Sequence, residues 1–518
     1  MNCLFMCDKK AYIRESAEVI VMDGTVHEGP NVVTWQIVMR KNRTVRERRF
    51  LLICKGKEEP PMELIDEILQ DSNLTLAVKR VVSNQGAPGI DNMPVKDLRE
   101  YFEKERTTIK TRVLQKKYKP SPVRRVYIPK PNGKKRPLGI PTGVDRVLQQ
   151  AVAQKLSEKY DAYFSSHSYG FRPGRDCHQA IGEVLEYLNE GYEWVIDMDI
   201  SKFFDTVNHD KLISILRERV NDAPTLHLIR SFLKAGAMEN GVVVTSEEGV
   251  PQGGPLSPIL ANIYLDKMDK ELEARGLRFV RYADDCDIFV RSEAAANRVM
   301  KSITSWIERK LYLKVNAEKT KVVRPKNSTF LGFTFRQRKD GRWICAPFKD
   351  RMKRLKARIC EILQRNRAAA RTNGETFKML NQVITGWINY FCIGEMTSFM
   401  ERFGTHLRHK VRVIILKQWK KPRTIIRNLM TLCKILGYRM YPKREELIIS
   451  TGCYCQGLWA QANLPMVNYL IPPKLLSQST SKRCGLIDPL KYYLSRRKSC
   501  NNVAPYTRPV RTVQWEGQ

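Results

Sequence analysis

Two adjacent carboxylates stand between apolar stretches in the segment Phe279-Val280-Arg281-Tyr282-Ala283-Asp284-Asp285-Cys286-Asp287-Ile288-Phe289-Val290. The apolar residues on both sides predict two short strands joined by a tight turn, with Asp284 and Asp285 at its tip. An acidic pair at a hairpin tip can hold a divalent cation. Asp is also frequent in turns for a structural reason, because its side chain hydrogen-bonds to nearby backbone. This segment alone leaves both interpretations open.

A third carboxylate is available upstream, where the sequence predicts an apolar strand over Trp194–Asp199. Side chains alternate across a strand with a period of two, so Asp197 and Asp199 share one face. Mg²⁺ requires oxygen ligands in near-octahedral geometry and is usually held by one or two carboxylates plus substrate phosphates. Three carboxylates on two neighbouring strands could therefore hold two ions. The spacing does not decide whether Asp197 or Asp199 is the third ligand.

A loop rich in Gly and Pro precedes a predicted helix over 259–272, and it reads Gly249-Val250-Pro251-Gln252-Gly253-Gly254-Pro255-Leu256-Ser257-Pro258. Glycine permits positive φ and a close approach of the backbone to a partner. Such a loop can lie flat beneath a base pair. The structural alternative is a plain turn that leads into a helix.

The chain is strongly basic, because its 518 residues contain 90 Lys and Arg against 54 Asp and Glu, a formal net charge of +36. A charge of this size predicts a polyanionic partner, and nucleic acid is the first choice. The alternative is charge spread over solvated faces. No apolar run is long enough to span a bilayer, so no membrane partner is expected. The 13 cysteines form no CxxC pair and residues 1–7 lack a secretory signal, which predicts a reduced, cytoplasmic protein.

The chain divides into segments of different character. Residues 1–61 mix apolar runs with basic residues in a pattern to which we assign no fold, whereas helical periodicity begins abruptly at Met62. Basic residues interleaved with Pro over 114–137 predict a β-hairpin. Residues 349–423 predict helices with 18 Lys and Arg against five Asp and Glu, which suit a duplex or structured RNA. Between these segments, an α+β domain is indicated by predicted helices at 146–160 and 177–190 and strands at 194–199, 279–282 and 288–290.

In this order and with these intervals, the motifs resemble the palm of reverse transcriptases, specifically the branch encoded by bacterial group II introns. The resemblance covers about residues 63–500. Residues 386–391, Gly-Trp-Ile-Asn-Tyr-Phe, resemble the maturase or thumb segment of the same family. The most specific marks are Tyr282-Ala283-Asp284-Asp285, the loop at 251–258, His167-Ser168-Tyr169-Gly170-Phe171-Arg172-Pro173-Gly174-Arg175 and Asn84-Gln85-Gly86-Ala87-Pro88-Gly89-Ile90-Asp91.

The resemblance implies an α+β right-hand polymerase. Residues 62–340 would form the fingers and palm of the reverse transcriptase domain, 341–425 an α-helical thumb or maturase domain, and 426–500 a small C-terminal DNA-binding unit. Residues 1–61 depart from the family pattern, and we interpret them as an extension translated from intron RNA upstream of a native start at Met62. The polar residues 501–518 predict a disordered tail.

The same resemblance assigns metal binding to Asp199, Asp284 and Asp285, with the backbone carbonyl of Ile200 as a further ligand. It thereby favours Asp199 over Asp197. Two Mg²⁺ ions are expected, with Mn²⁺ as a substitute. Phe204 matches the aromatic gate whose bulk would clash with a ribose 2′-OH and so favour dNTPs over rNTPs. The alternative for Phe204 is an ordinary core aromatic.

Further roles follow from the matched positions. Lys130 and Arg136 match residues of the fingers that contact the incoming triphosphate, and Gln252 matches a glutamine beside the nascent pair. Arg124 corresponds to a contact with template or triphosphate, and Arg172 to a basic position near the template strand. One further prediction concerns Lys319, in Leu313-Lys314-Val315-Asn316-Ala317-Glu318-Lys319-Thr320, as general acid for the leaving pyrophosphate, with a plain surface lysine as the alternative. The segment Phe330-Leu331-Gly332-Phe333 resembles a family loop that positions the primer end.

The implied activity is RNA-directed DNA synthesis for retrohoming in the bacterial cytoplasm, combined with maturase help in intron splicing. The implied partners are group II intron RNA, an RNA template with a DNA primer, target DNA and dNTPs. Two alternatives remain open, a splicing maturase whose polymerase is idle and a domesticated relative used in antiphage defence. Many family members carry a C-terminal endonuclease with cysteine pairs, and the cysteines at 453, 455, 484 and 500 lack that spacing, so we expect an endonuclease-lacking type.

Overall fold

The computed structural model describes four strands between residues 12 and 53, and residues 63–502 with gaps at 130–132, 134, 240–241, 245–247, 365–371, 420–422, 425–426 and 429–485. The chain divides into two compact units. The first comprises Met1–Arg125, Gly139–Leu156 and Leu216–Ser246, and the second comprises Val126–Leu138, Ser157–Ile215 and Glu247–Gln518.

The helices in the described residues are named in chain order. They are α1 (Leu64–Leu69), α2 (Asp71–Ser83), α3 (Val95–Leu114), α4 (Gly143–Tyr160), α5 (Cys177–Asn189), α6 (Phe203–Thr206), α7 (His209–Arg217), α8 (Ala223–Lys234), α9 (Ser257–Ala274), α10 (Glu293–Trp306), α11 (Lys349–Ile362), α12 (Asn373–Phe391), α13 (Thr397–Trp419) and α14 (Pro489–Asn502). A π-helical turn, Ile307–Leu311, extends α10, and a 3₁₀ turn spans Pro325–Asn327.

The strands are named in the same way. They are β1 (Tyr12–Ser16), β2 (Val19–Glu28), β3 (Asn31–Arg40), β4 (Leu51–Ile53), β5 (Val123–Pro129), β6 (Lys135–Ile140), β7 (Trp194–Asp199), β8 (Ala237–Glu239), β9 (Val242–Val244), β10 (Arg278–Tyr282), β11 (Asp285–Val290), β12 (Lys321–Val323), β13 (Thr329–Phe330), β14 (Phe333–Gln337) and β15 (Trp343–Pro347).

The first unit contains a sheet that the sequence pattern did not predict. Strands β1 to β4 pair with their neighbours in sequence order, all antiparallel. Residues 1–61, to which the sequence pattern assigns no fold, therefore contain a four-stranded sheet. Strand β3, one of two ten-residue strands in this sheet, carries a mainly apolar run that only Thr34 and Gln36 interrupt between Val32 and Met39. Such a run does not distinguish a strand from a buried helix by periodicity. Elsewhere in this unit, α2 buries Leu74, Val78 and Val81, as its helical period requires.

The second unit is built on a four-stranded antiparallel sheet in the order β10-β11-β7-β12. The predicted strand Trp194–Asp199 is confirmed as β7, one of the two interior strands of this sheet. Helix α9 begins inside the Gly- and Pro-rich loop, two residues before the predicted start at 259, with Pro258 in its first turn, where the missing N–H costs nothing. The α+β class is confirmed by these elements.

The basic region after residue 341 forms helices, as its composition predicts. Strands β13, β14 and β15 form a small antiparallel sheet, and α11, α12, α13 and α14 bury their apolar faces in one core that includes Phe333, Trp387 and Tyr493. Helix α12 begins with a capping box in which Thr372 and Glu375 satisfy each other's backbone amides. Helix α14 runs to Asn502, two residues into the predicted tail, whereas most of 426–500 and all of 503–518 lie outside the described residues.

Across the part of the chain that the structure describes, every helix is too short or too polar to cross a lipid bilayer.

Candidate active site

The register of β7 and β11 brings carboxylates from distant parts of the chain side by side. Asp199 is the direct cross-strand partner of Asp285, at the end of the ladder nearest the β10–β11 turn. Asp197 lies opposite Asp287, two residues deeper in the sheet. Directly opposed residues in a sheet have Cβ atoms about 4.5–5.5 Å apart. Asp199 therefore lies beside the acidic pair, and Asp197 lies behind it.

A two-residue turn of Ala283 and Asp284 joins β10 to β11. Ala283 has φ of +60°, a conformation that normally favours glycine. A Cβ added to Gly170 would overlap the amide nitrogen of Ala283, so only glycine fits at that position against the turn. This contact gives the motif at 167–175 a physical role, because its glycine lets one backbone segment lie directly on the acidic turn.

Asp199 is held by residues of the segment that precedes β12. The ammonium of Lys319 lies 3.0 Å from both carboxylate oxygens of Asp199, and Asn316 Nδ2 donates to Oδ2 over 3.0 Å. The backbone amide of Asn316 also donates to the Asp199 carbonyl over 2.8 Å. The predicted motif around Lys319 thus contacts the acidic residues directly. The Lys319 side chain is 66% exposed, so its ammonium is free to move to another anion.

The pKa is raised for three of these carboxylates, those of Asp197, Asp285 and Asp287. Restricted solvation, followed by the negative charges of Asp284, Asp197 and Asp199, raises the pKa of Asp285 to about 6, although part of its side chain reaches solvent. Burial raises the pKa of Asp197 despite Lys321, whose ammonium lies 3.6 Å away. Burial raises the pKa of Asp287 far above its usual value. The group carries more negative charge than its two lysines neutralise.

These residues fit a divalent cation by the chemistry of their donors. Carboxylate and carbonyl oxygens are the ligands that hard cations prefer, and a cation would offset the mutual repulsion of neighbouring carboxylates. Ile200 lies opposite Val315 in an antiparallel bridge. The hydrogen bonds of this bridge are made by the residues on either side of Ile200, because the Asp199 carbonyl accepts from Asn316 and the Ser201 amide donates to Lys314. The carbonyl of Ile200 itself therefore points away from Val315. Among the described residues no three carboxylate, imidazole or thiol groups already stand in a ligating arrangement. The ammonium of Lys319 contacts Asp199 instead.

Phe204 follows this strand and contacts the Gly- and Pro-rich loop. Its carbonyl accepts from the Val250 amide over 2.6 Å, and Gly249, with φ of +90°, leaves no room for a Cβ beside that carbonyl. The ring of Phe204 is half-buried, whereas that of Phe203 is fully buried and meets it edge to face at 5.1 Å. Phe203 is thus the core aromatic of the pair, and Phe204 is partly exposed to solvent.

Two of the predicted nucleotide contacts, Arg136 and Gln252, lie together. Arg136 Nε donates to Gln252 Oε1 over 3.1 Å. This contact orients an exposed guanidinium at the loop that also meets Phe204. Lys130, the other predicted triphosphate contact, lies outside the described residues.

Arg172 has a clear structural task. Its guanidinium donates to Asp161 and to the carbonyls of Ser165 and Ser168, and its side chain is only 5% exposed. It therefore organises its own loop, and a template contact stays a prediction. Arg124 pairs with Met238 between β5 and β8, and its Nε is buried with no hydrogen-bond partner among the described residues.

Sequence reasoning missed a charged network behind the turn. Arg281 is fully buried, and its guanidinium forms an ion pair with Asp269 and donates to the carbonyl of Ala283. The available signal was an arginine set between the apolar residues Val280 and Tyr282 of a predicted strand, because a buried charge requires a partner.

A second missed contact joins α12 to the loop before β14. Tyr390 Oη donates to the carbonyl of Leu331 over 3.0 Å, and the ring of Tyr390 stacks on Phe333 with centroids 5.8 Å apart. Leu331 has φ of +51°, another conformation that a large side chain rarely adopts. The motif at 386–391 therefore holds the predicted primer-positioning loop.

Comparisons with known proteins give two family matches. The model described as Reverse transcriptase (RNA-dependent DNA polymerase) matches residues 128–335, which include Asp199, Asp284 and Asp285. The model described as Group II intron, maturase-specific domain matches residues 352–432.

Individual relatives agree with these matches. The chain is 34% identical to Protein YkfC of Escherichia coli (strain K12) over 299 residues, which are 50% of this chain and 78% of that protein. It is 36% identical to the Group II intron-encoded protein LtrA of Lactococcus lactis subsp. cremoris over 249 residues, 47% of this chain and 40% of LtrA. One solved structure, the partial Cas6-RT-Cas1–Cas2 complex, matches 53% of this chain and 47% of its own at 26% identity, with a TM-score of 0.33. The chain thus spans less than half the length of LtrA and less than half of the matched chain in that complex.

Proposed function

Since this chain belongs to the family of group II intron-encoded reverse transcriptases and maturases, we propose that it copies intron RNA into DNA for retrohoming and assists splicing of that intron. The observation that carries the proposal is the register of Asp199 with Asp285 beside Asp284, within the segment that matches the reverse transcriptase model. The partners are intron RNA, a DNA primer on the RNA template, target DNA and dNTPs. The bacterial cytoplasm is the compartment where these partners meet.

Reverse transcriptases depend on divalent metal ions, and we assign Mg²⁺ here, with Mn²⁺ as a substitute. Two ions would activate the primer 3′-OH and neutralise the triphosphate in an in-line displacement. Asp199, Asp284 and Asp285 would hold them, together with the Ile200 carbonyl. The exposed ammonium of Lys319 would leave Asp199 when the ions bind and donate a proton to the departing pyrophosphate.

The remaining residues bind and select the nucleotide. Lys130 and Arg136 would contact the triphosphate, where negative charge accumulates during the reaction. Gln252, which accepts from Arg136, would lie beside the nascent pair. The partly exposed ring of Phe204 would exclude a ribose 2′-OH. Residues 62–340 serve in this proposal as fingers and palm, 341–425 as thumb and maturase domain, and 426–500 as a DNA-binding unit.

The test is primer extension on an RNA template with Mg²⁺ and dNTPs. We expect DNA from the native protein and none from the Asp284→Asn/Asp285→Asn variant. RNA affinity should stay within about twofold, because affinity for a polyanion comes mainly from Lys and Arg. The same two proteins would then be compared in a splicing assay at low Mg²⁺. Splicing by both, without DNA synthesis by either, would overturn the polymerase assignment and leave a maturase.

A further inference from the structure

A fully buried cation lies directly behind the acidic turn. Arg281 is the largest side chain with no solvent exposure in the described residues, and it precedes Tyr282 on β10. A guanidinium presents its N–H donors in a fixed planar fork and remains charged in proteins. Burial of this group is favourable only if its donors meet acceptors in the interior. The acceptors that it meets therefore indicate its purpose.

The fork of Arg281 faces two groups of different kinds. Its Nε and Nη2 donate to the two oxygens of Asp269 over 2.7 and 2.5 Å, a bidentate pair with a fully buried carboxylate of α9. Its Nη1 donates to Asn262 Oδ1 over 3.1 Å and to the carbonyl of Ala283 over 2.8 Å. The ion pair alone would satisfy the charge. The bond to Ala283 reaches the turn that carries Asp284.

The turn is fixed from a second direction by the same network. Asn262 Nδ2 donates to the carbonyl of Gly170 over 2.8 Å, and Gly170 lies against the amide of Ala283. Arg281 also pairs through its backbone, because its amide donates to the His167 carbonyl and its carbonyl accepts from the Tyr169 amide, both over 2.9 Å. Both peptide groups of Ala283 are therefore constrained, in a residue whose positive φ is unfavourable without such support.

We propose that Arg281 is a positioning residue that acts through the Ala283 carbonyl to fix the direction in which Asp284 and Asp285 present their carboxylates to metal ions. This inference rests on the proposed function of those two residues as metal ligands. Asp269 and Asn262 hold the guanidinium, and Gly170 closes the turn from the other side. If the network served stability alone, its removal would change the melting temperature and leave metal affinity untouched.

The test compares Arg281→Lys with the native protein. Lysine keeps the charge and can still pair with Asp269, but a single ammonium cannot also supply the planar fork that reaches Ala283. Mn²⁺ binding to the free protein, measured by electron paramagnetic resonance, reports metal affinity without catalysis. We expect Mn²⁺ affinity to fall about tenfold, the Mg²⁺ concentration for half-maximal single-turnover incorporation to rise about tenfold, and RNA affinity to stay within twofold.

Two further variants make the result decisive. Arg278→Lys is the matched control, because Arg278 lies on the same strand with its guanidinium over the Tyr187 ring, away from the turn, and it should bind Mn²⁺ as the native protein does. Arg281→Met/Asp269→Leu removes the pair without leaving a buried charge, so it covers the case in which Arg281→Lys does not fold. It should show the same loss of Mn²⁺ affinity.

Native Mn²⁺ affinity in whichever of these two Arg281 variants folds would overturn the inference, even if incorporation slows. Weakened Mn²⁺ binding in that variant, with Arg278→Lys unaffected, would support it. The outcome is separable from the proposed function, because native protein that makes no DNA refutes the polymerase while the Mn²⁺ comparison still reports on Arg281.

Discussion

At the scale of single residues, Phe204 and Phe203 are neighbours with different surroundings. Phe203 is buried, whereas Phe204 is partly exposed to solvent beside the loop of Gln252. Phe204→Val should raise incorporation of rNTPs relative to dNTPs by at least about tenfold, because valine removes the bulk that meets a 2′-OH. Primer extension with each nucleotide type measures the ratio. Phe203→Leu is the control: it should cost about 1–2 kcal/mol of stability and leave the ratio unchanged. An unchanged ratio in Phe204→Val would refute the gate.

A second prediction concerns the free energy of unfolding that the metal-free protein loses because its carboxylates lie close together. Asp285 has a pKa of about 6 in the folded protein and 3.8 in an ordinary setting, so the metal-free fold binds its proton more tightly and loses stability as pH rises from 3.8 through 6. Asp285→Asn removes that charge. In EDTA at pH 7.5 it should raise the free energy of unfolding by about 1 kcal/mol, a reduced figure because this carboxylate reaches solvent.

The pH dependence provides the control for Asp285→Asn. At pH 4.5 the native carboxyl is mostly protonated, so the two proteins should melt at similar temperatures. Saturating Mg²⁺ at pH 7.5 should reverse the order, since an ion that binds only the native site stabilises the native protein. A lower melting temperature for Asp285→Asn in EDTA at pH 7.5 would contradict the account.

Only part of this site could be predicted from the sequence. The acidic turn and the strand ending at Asp199 were predicted from local pattern. A period of two cannot separate Asp197 from Asp199, because both lie on one face, and only the long-range register with β11 sets Asp199 beside Asp285. The ion pair of Arg281 could not be predicted from sequence, since its partner Asp269 lies on another element and no local rule pairs the two residues.

At the scale of elements, α12 is joined to the loop before β14 by a hydrogen bond and a ring contact. Tyr390→Phe removes the hydroxyl that holds the Leu331 carbonyl and keeps the ring that stacks on Phe333. Loss of one such bond should cost about 1 kcal/mol of stability. If residues 330–333 position the primer end, the KM for primer–template should rise about three- to tenfold, while dNTP discrimination stays native. Steady-state extension with varied primer–template measures this.

Tyr492→Phe is the matched control for that prediction. Its hydroxyl donates to Asn389 Oδ1 over 2.9 Å, so the same substitution removes a comparable bond to α12 at a site away from the loop. Equal effects on KM from both variants would show that α12 responds to any loss of packing, and the specific role of Tyr390 would fall. The coupling was not evident from sequence, because Leu331 and Tyr390 are far apart in the chain and the contact uses a backbone carbonyl.

At the scale of the whole molecule, the net charge of +36 predicts RNA binding that weakens steeply with salt. Helix α11 shows how this charge is displayed. It buries Leu355 and Ile359 and exposes Lys353 and Arg354 on the opposite side. Each phosphate contact that is lost should reduce the slope of log affinity against log salt by about 0.7–0.9. If the thumb binds RNA through this face, each substitution of a contacting Lys or Arg should therefore reduce the salt slope of RNA binding by a measurable amount.

Lys353→Ala/Arg354→Ala should lower the magnitude of that slope by about 1.5 and weaken RNA binding several-fold at 0.15 M salt. The matched control is Lys270→Ala/Arg275→Ala on α9, because these cations pair closely with Glu273 and Glu271 on their own helix, at 3.0 and 2.7 Å. The ammonium of Lys353 lies farther from its own intrahelical partner, at 3.8 Å from Asp350. Both double variants remove two positive charges, so a response to net charge alone would be equal in the two. A larger loss of slope in the α11 variant locates phosphate contacts on the thumb, whereas equal losses would assign the binding to the diffuse field of the whole protein.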